Sequence, residues 1–267
     1  MDLGLATKVA LVTGAYRGTG AGIARVLAAE GAVVLVHGFE RGQADAVVDT
    51  ILAAGGRAVA VVGDLRTDTG ADRIVAACRE SAGPVDILVN NYGLAEGGSW
   101  FGDDSASWFD VYDKNVVTGV RMVQRLVPAM RARAWGRVVF IATIGATRPG
   151  NRNPQYYSAK TALPGLTVSL AKELAGTGVT VNTISPGVIA TDEIRASFTR
   201  RAAERGLATD WETVERFILE TAMPNPSGHV ATPEDIGRFV AFVVSEVGWH
   251  LNGAHLRIDG GAVDAVT

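Results

Sequence analysis

Seven short runs of apolar, mostly β-branched residues recur along the chain, and segments with helical spacing separate them. Most of these runs are apolar throughout, which is typical of strands that are covered on both faces. Between them, apolar residues recur three or four positions apart, as at Ile23, Val26 and Leu27. Strands separated by helices of this length predict βαβ units and a parallel sheet. The predicted strands are Val9–Val12, Val33–Val36, Ala58–Val62, Ile87–Val89, Val138–Ile141, Val179–Ile184 and His255–Ile258.

Crossovers between parallel strands are right-handed, so this order of elements favours a doubly wound, Rossmann-type fold. We predict an α/β protein with one mostly parallel seven-stranded sheet and helices on both of its faces. The 267 residues contain no linker, internal repeat or low-complexity tract, which favours a single domain over residues 1–267. Chains of this size bury roughly three quarters of their unfolded surface, so the core needs no disulfide or metal.

Charge and cysteine content exclude several classes of function. The net charge of −3 shows no basic excess, so we expect no nucleic-acid partner. The single cysteine, Cys78, has no internal disulfide partner, and its surroundings favour a small buried apolar residue over a catalytic thiol. The longest uncharged stretch, 174–191, contains glycines and a proline and is not a membrane helix. We expect no signal peptide, no membrane partner, no metal site and a cytoplasmic location.

A long region without a strand pattern lies between the sixth and seventh predicted strands, at about residues 190–228. It carries several large apolar residues, among them Phe198, Trp211 and Phe217. Long insertions in compact domains are usually functional, often as lids. We predict an irregular substrate lid here, with a helical excursion packed on the surface as the alternative.

A glycine-rich segment follows the first predicted strand and precedes a helical pattern. Its glycines permit a tight turn and close approach of the backbone to a ligand. The helix N-terminus that follows offers free amides and a positive dipole end to a pyrophosphate. A strand-to-helix turn without a ligand is the alternative, but the position at the first βα junction favours a dinucleotide. The candidate phosphate-binding residues are Gly14, Tyr16, Arg17, Gly18, Thr19 and Gly20.

The end of the second predicted strand bears on which dinucleotide is bound. Enzymes of this kind often place an acid there to bind the ribose 2′-hydroxyl. The expected position is Gly38 in this sequence, whereas Arg17 and Arg41 offer guanidinium groups suited to a 2′-phosphate. Glu40 disfavours that phosphate. We predict a preference for NADP(H), with NAD(H) as the alternative.

Tyr156 and Lys160 are four residues apart, so on a helix they share one face. A tyrosine pKa must fall by roughly three units for the phenol to act as a base near neutrality, which requires about 4 kcal/mol. A lysine ammonium about 4 Å away, at an effective dielectric of about 20, supplies roughly that free energy. An oxidised nicotinamide would add further positive charge. Taken alone, this spacing is common on ordinary helices.

Seven segments occur in order along the chain: TGAYRGTG at 13–20, Asp64, NNYG at 90–93, Asn115 in DKNVVTG, YYSAK at 156–160, VNTISPGVIAT at 181–191 and LRIDGG at 256–261. Together they resemble the short-chain dehydrogenase/reductase family, in its short single-domain branch. The segments cover nearly the whole chain, and their spacing is that of the family. The probability that all seven agree by chance is therefore very small.

The resemblance implies a role for each matching residue. Tyr156 would donate or accept the proton, and Lys160 would bind the nicotinamide ribose and lower the tyrosine pKa. Asn115 would use its backbone to anchor a water that leads protons away from Lys160, and Asp64 would contact the adenine. The other implied cofactor-binding residues are Phe39, Leu65, Asn91, Gly93, Pro186, Gly187, Ile189 and Thr191.

Three residues depart from the family pattern. Thr143 lies thirteen residues before the tyrosine, where the family has a serine that hydrogen-bonds the substrate oxygen. Threonine keeps the hydroxyl but adds a methyl group and a stiff χ1 angle. Tyr92 replaces a small residue beside the cofactor. Pro164 falls in the helix of Tyr156 and Lys160, where it predicts a lost hydrogen bond and a kink.

The sequence therefore predicts an NAD(P)-dependent oxidoreductase that acts on an alcohol or carbonyl carbon through Tyr156, Lys160, Thr143 and Asn115. A catalytically impaired nucleotide-binding regulator is one alternative, and a lyase or epimerase that uses the cofactor transiently is another. Net change in nicotinamide absorbance separates the first class from the other two. The mostly apolar 190–228 region favours a moderately hydrophobic alcohol or ketone, and the resemblance implies a homotetramer.

Overall fold

The computed structural model describes residues 1–96 and 98–264, so the predicted domain limit at residue 267 lies outside the described residues. All seven predicted strands are present. The strands are β1 (Val9–Val12), β2 (Val33–Gly38), β3 (Arg57–Val62), β4 (Ile87–Asn90), β5 (Gly136–Ile141), β6 (Val179–Pro186) and β7 (His255–Ile258). The helices are α1 (Gly18–Ala29), α2 (Asp45–Ala53), α3 (Asp68–Ala82), α4 (Ser105–Tyr112), α5 (Thr118–Ala132), α6 (Pro154–Glu173), α7 (Asp192–Ala203), α8 (Trp211–Thr221) and α9 (Pro233–Val244).

The seven strands form one sheet in the order β3-β2-β1-β4-β5-β6-β7. Every neighbouring pair of strands is parallel, so the predicted doubly wound α/β class is confirmed. The chain order reverses between β1 and β4. In open sheets of this kind, ligands bind outside the carboxyl ends of the strands at such a reversal. The topology therefore predicts a ligand site at the segments that follow β1, β4, β5 and β6.

The core lies on both faces of the sheet. Ala10 and Val12 of β1 belong to the apolar cluster that includes residues of α1, α2 and α9. Leu11, between them, belongs to a second cluster with residues of α3, α5 and α6. Successive strand residues point to opposite faces, and burial on both faces explains why these strands read as continuous apolar runs. Cys78 of α3 is buried in the second cluster, and burial raises the pKa of its thiol to about 12.

The prediction of an irregular segment at 190–228 was wrong, because most of it forms α7 and α8. These helices share a small apolar core of their own, in which the Phe198 and Phe217 rings meet at 6.2 Å between centroids. Each helix begins at a capping residue, since Thr191 and Asp210 accept hydrogen bonds from backbone amides of the first turn. The helical excursion named as the alternative is what forms, while the role of this segment as a lid stays a prediction.

Helix α6 runs without interruption from Pro154 to Glu173, although it contains Pro164. Tyr156 and Lys160 lie in its first two turns, ahead of the proline. Neither this helix nor any other in the described part of the chain is long and apolar enough to cross a membrane.

Candidate active site

A cleft of about 570 Å³ opens along the carboxyl ends of β1, β4, β5 and β6. It brings together most of the residues that the sequence predicts for a site. The predicted residues in its lining are Gly14, Tyr16, Arg17, Gly18, Thr19, Gly20, Asn91, Gly93, Thr143, Tyr156, Lys160, Pro186, Gly187, Ile189 and Thr191. The lining residues without a predicted role include Leu94, Ala95, Tyr157, Val188, Glu193 and Ile194.

The loop between β1 and α1 has the geometry of an anion cradle. A β-carbon on Gly20 would lie 2.5 Å from Asn91 Nδ2 and 2.7 Å from the Gly14 carbonyl oxygen, so only glycine fits there. Asn91 Nδ2 also donates to the Thr13 carbonyl oxygen at 2.8 Å, which holds the loop against the end of β4. Arg17, the N-cap residue of α1, makes no side-chain hydrogen bond to the first turn in the described structure. The amides of this turn are therefore free to bind a pyrophosphate, which fits a dinucleotide.

His37 was not predicted as a site residue, yet it supports this loop from the end of β2. The Gly14 amide donates to its Nδ1 at 3.0 Å, and its Nε2 lies 2.9 Å from the Gly63 carbonyl oxygen. A carbonyl oxygen only accepts, so Nε2 carries the proton and the ring is neutral. The ring is fully buried, and burial lowers the pKa of His37 to about 4. A polar residue within an otherwise apolar strand was the available signal.

The stability of the protein should depend on this histidine in mildly acidic solution. An unfolded histidine has a pKa near 6.5, whereas the pKa of His37 in the folded protein is about 4. Between these two pH values the unfolded chain binds a proton that the folded protein does not. The free energy of unfolding therefore falls as the pH falls through this window. The loss amounts to about 3 kcal/mol across the window. Denaturant unfolding from about pH 7 to about pH 4.5 should show a shallower pH dependence in His37→Asn. Equal slopes in both proteins would contradict this role.

The described lining of the cleft does not include Asp64, the predicted adenine contact, or the predicted cofactor-binding residues Phe39 and Leu65. The Phe39 ring packs on Tyr92 with 4.8 Å between centroids. The Asp64 carboxylate accepts two hydrogen bonds from the Arg66 guanidinium, each 2.9 Å, and this lowers the pKa of Asp64. The Leu65 side chain is buried, because it packs in the apolar cluster that includes residues of α3, α5 and α6. Arg66 was not predicted as a site residue. Its guanidinium adds a positive charge beside Asp64.

At the other end of the cleft, Tyr156 and Lys160 project from α6 toward the end of β5. The Lys160 side chain is buried, and its Nζ donates to the Ile141 carbonyl oxygen at 2.9 Å. This places Nζ 6.0 Å from the centre of the Tyr156 ring. Thr143 lies two residues beyond Ile141, and its hydroxyl opposes the rise in the pKa of Tyr156. Tyr156, Thr143 and Lys160 therefore line the same cleft.

The pKa values of the pair differ from the sequence prediction. Burial and the neighbouring Tyr157 raise the pKa of Tyr156 to about 12, and among the described residues only the Thr143 hydroxyl opposes this rise. Burial also lowers the pKa of Lys160 to about 8. The predicted lowering of the tyrosine pKa by lysine is absent among the protein's own groups, because the amino group is held at the Ile141 carbonyl. The phenol is consequently protonated at neutral pH.

Asn115 lies in a π-helical turn, Asp113–Val117, between α4 and α5. Such turns occur frequently at functional sites. Its Nδ2 donates to the carbonyl oxygens of Val111 at 2.9 Å and Leu94 at 3.1 Å. A β-carbon on Gly93 would lie 2.5 Å from Asn115 Oδ1 and 2.7 Å from Lys160 Nζ. Gly93 therefore allows the asparagine and the lysine to approach the same point beneath the cleft.

Comparison with known proteins agrees with this geometry. The family model of the short chain dehydrogenases matches residues 8–202. The chain belongs to the short-chain dehydrogenase family. Among curated members, it is 35% identical over 268 residues to the uncharacterised oxidoreductase YvaG of Bacillus subtilis, with all of both chains covered. It is 32% identical over 258 residues to the D-beta-hydroxybutyrate dehydrogenase of Cupriavidus necator, covering 96% of this chain and 98% of that one.

A solved short-chain dehydrogenase structure has the same fold throughout. L-sorbose reductase from Gluconobacter frateurii, crystallised with NADPH and L-sorbose, superposes with a TM-score of 0.92 at 30% identity and covers all of both chains. The predicted family and fold class are thus confirmed. Among the residues described here, no group of three or more His, Cys, Asp or Glu side chains is placed to hold a metal ion.

Proposed function

We propose that this short-chain dehydrogenase transfers a hydride between NADP(H) and an alcohol or carbonyl carbon. The observation that carries the proposal is the meeting of Tyr156, Thr143 and Lys160 in the same cleft as the phosphate cradle at Gly14–Gly20. A cleft of about 570 Å³ has the volume for a dinucleotide that runs from the cradle to the tyrosine. When bound, the nicotinamide supplies the hydride in reduction and accepts it in oxidation.

Proton transfer is the task of Tyr156. Its pKa of about 12 keeps the phenol protonated at neutral pH, so it donates a proton to the carbonyl oxygen during reduction. Thr143 Oγ1 accepts a hydrogen bond from the Gly145 amide at 3.3 Å. Its own hydroxyl proton is thereby free to bind the same substrate oxygen. In oxidation the roles reverse, and the tyrosine accepts the proton of the alcohol.

Lys160 and Asn115 support this transfer from below. The Lys160 Nζ is held at the Ile141 carbonyl oxygen, 6.0 Å from the centre of the Tyr156 ring, and we propose that the ammonium turns toward the phenolate as the proton leaves. We assign Lys160 to the ribose hydroxyls of the cofactor and the Asn115 backbone to a water that leads protons away from the lysine. The approach of both residues to Gly93 supports this assignment.

The substrate class is inferred from the apolar part of the cleft lining. Leu94, Ala95, Val188 and Ile194 belong to that lining, which supports a moderately hydrophobic alcohol or ketone. Two relatives carry D-beta-hydroxybutyrate and L-sorbose in their names, so hydroxy acids and ketoses belong in the same panel. The testing experiment is a screen of such alcohols and ketones with NADPH, NADP⁺, NADH and NAD⁺. Turnover with none of them would contradict the proposal.

Cofactor preference is assigned to Arg17. Its Nη1 pairs with Glu193 Oε1 at 3.0 Å, but both side chains are about half exposed, so the pair is weak and the guanidinium is available to a 2′-phosphate. Arg17→Ala should weaken NADPH binding by about 10-fold to 100-fold, since hydrogen bonds to charged groups contribute about 1.5–3 kcal/mol. NADH binding should change little. Fluorescence titration measures both, with Arg73→Ala, an exposed arginine on α3 outside the cleft, as the control. Tighter binding of NADH than NADPH to the unaltered protein would contradict the assignment.

Three further features are proposed on the resemblance and the sequence. We assign the 190–228 segment to a lid, because Thr191, Glu193 and Ile194 at its start line the cleft. We also propose a homotetramer and a cytoplasmic location.

A further inference from the structure

The Tyr157 ring joins α6 to the segment that carries Thr143. A β-carbon on Gly145 would overlap the ring at Cδ1 and Cε1, so the ring packs directly on the Gly145 backbone. A β-carbon on Gly150 would lie 3.3 Å from Cε2 of the same ring. The Tyr157 ring therefore fills space that is available because residues 145 and 150 are both glycines. The contact spans the two elements that contribute the reacting hydroxyls.

Gly145 is in turn bonded to Thr143. It lies in the short 3₁₀ turn Ile144–Ala146, and its amide donates to Thr143 Oγ1 at 3.3 Å. The Thr161 hydroxyl makes a second contact between α6 and this turn. It lies 2.8 Å from the Tyr157 carbonyl oxygen and 3.3 Å from the Ala146 carbonyl oxygen. The turn is thus held against α6 by one ring and one hydroxyl. Movement of the turn would move the amide that binds Thr143.

The orientation of Thr143 needs such support. A threonine carries a hydroxyl and a methyl group on the same carbon, so a change of χ1 rotamer replaces one with the other. The wrong rotamer would aim the methyl group at the substrate oxygen and withdraw a donor. The hydrogen bond from Gly145 selects the rotamer in which Oγ1 faces the turn. The contact between Tyr157 and Gly145 holds that amide in place.

We propose that Tyr157 is a positioning residue, which sets the Thr143 hydroxyl beside Tyr156 by packing its ring on Gly145. The inference rests on the proposed function for its kinetic consequence, but its structural consequence is independent of turnover. Tyr157→Ala should lower kcat by about 10-fold to 100-fold, the loss expected when a reacting group is misplaced by about 1 Å. Cofactor affinity should be unchanged, since Lys160 and the phosphate cradle are untouched. Tyr157→Phe keeps the ring and should retain wild-type kcat.

Two double variants test the route through Gly145 and Thr143. Gly145→Ala alone inserts a β-carbon into the ring and should lower kcat, whereas Gly145→Ala combined with Tyr157→Ala removes the overlap and should lose no more than the worse single variant. In a Thr143→Val background, Tyr157→Ala should have no further effect on kcat. Multiplying losses in either double variant would overturn the proposal, as would a Tyr157→Phe enzyme as slow as Tyr157→Ala. Thermal unfolding of each variant separates these effects from a loss of folded protein.

A crystal structure of Tyr157→Ala distinguishes failure of this inference from failure of the proposed function. We expect the Thr143 hydroxyl to leave the Gly145 amide or to occupy two rotamers. A Thr143 side chain in its original place would overturn the positioning role, whatever the enzyme turns over. Absence of turnover in the unaltered protein, with Thr143 displaced in the variant, would instead contradict only the proposed function.

Discussion

Replacing Tyr156 with phenylalanine should lower kcat for carbonyl reduction by about 10²–10⁴-fold, the usual contribution of general acid–base catalysis. The change removes the phenolic proton and keeps the ring, which packs against Tyr157 with 5.6 Å between centroids. Cofactor affinity should therefore stay near the wild-type value. Steady-state kinetics gives kcat, and fluorescence titration gives the dissociation constant of the cofactor.

Tyr157→Phe is the matched control, because it removes a hydroxyl from the adjacent residue of the same helix. It should leave kcat unchanged. A Tyr156→Phe enzyme with near-normal turnover would end the proposed proton transfer. A slow Tyr157→Phe enzyme beside it would move the role to the neighbouring tyrosine.

Lys160→Ala should damage both turnover and cofactor binding, because the ammonium serves two tasks. Loss of the positive charge near the phenolate should lower kcat by about 10²-fold, and loss of hydrogen bonds from a charged group should weaken the cofactor by about 10-fold or more. Kinetics and titration on the same preparation separate the two losses. Unchanged cofactor affinity would contradict the assignment of Lys160 to the ribose.

The pH profile tests the same lysine without removing its charge at neutral pH. Lys160 is cationic below its pKa of about 8, so the rate of carbonyl reduction should be flat below that pH and fall above it. The phenol of Tyr156, with a pKa of about 12, stays protonated across this range and does not cause the fall. In Lys160→Arg the guanidinium remains charged, so the fall should move to higher pH. A profile that is identical in both proteins would assign it to another group.

The strands were predictable because each carries its own signal. Residues such as Ala10, Leu11 and Val12 are apolar in succession because helices cover both faces of the sheet. The helices α7 and α8 gave a weaker pattern, since they bury only a small core between themselves. The sequence marked the starts of these helices only by their capping residues, Thr191 and Asp210. A helical pair would have been the better prediction for that segment.

The site was predictable in composition but less so in geometry. The spacing of Tyr156 and Lys160 places them on one face of α6, but the direction of the amino group depends on the Ile141 carbonyl of β5. His37 bonds partners 23 and 26 residues away, which no local pattern reveals. The contact of Tyr157 with Gly145 likewise depends on how α6 packs against the turn after β5. Long-range contacts of this kind decide pKa values and orientations.

The most direct test of hydride transfer is the ratio of cofactor consumed to product formed. With a ketone or alcohol found in the screen, nicotinamide absorbance and product should be followed in the same reaction, with Tyr156→Phe as the control. We predict that one cofactor is oxidised for each alcohol formed, and that both processes slow together in the variant. Substrate conversion without net change in the cofactor would indicate a lyase or epimerase, and cofactor binding without any conversion would indicate a regulator. Either result would contradict the account.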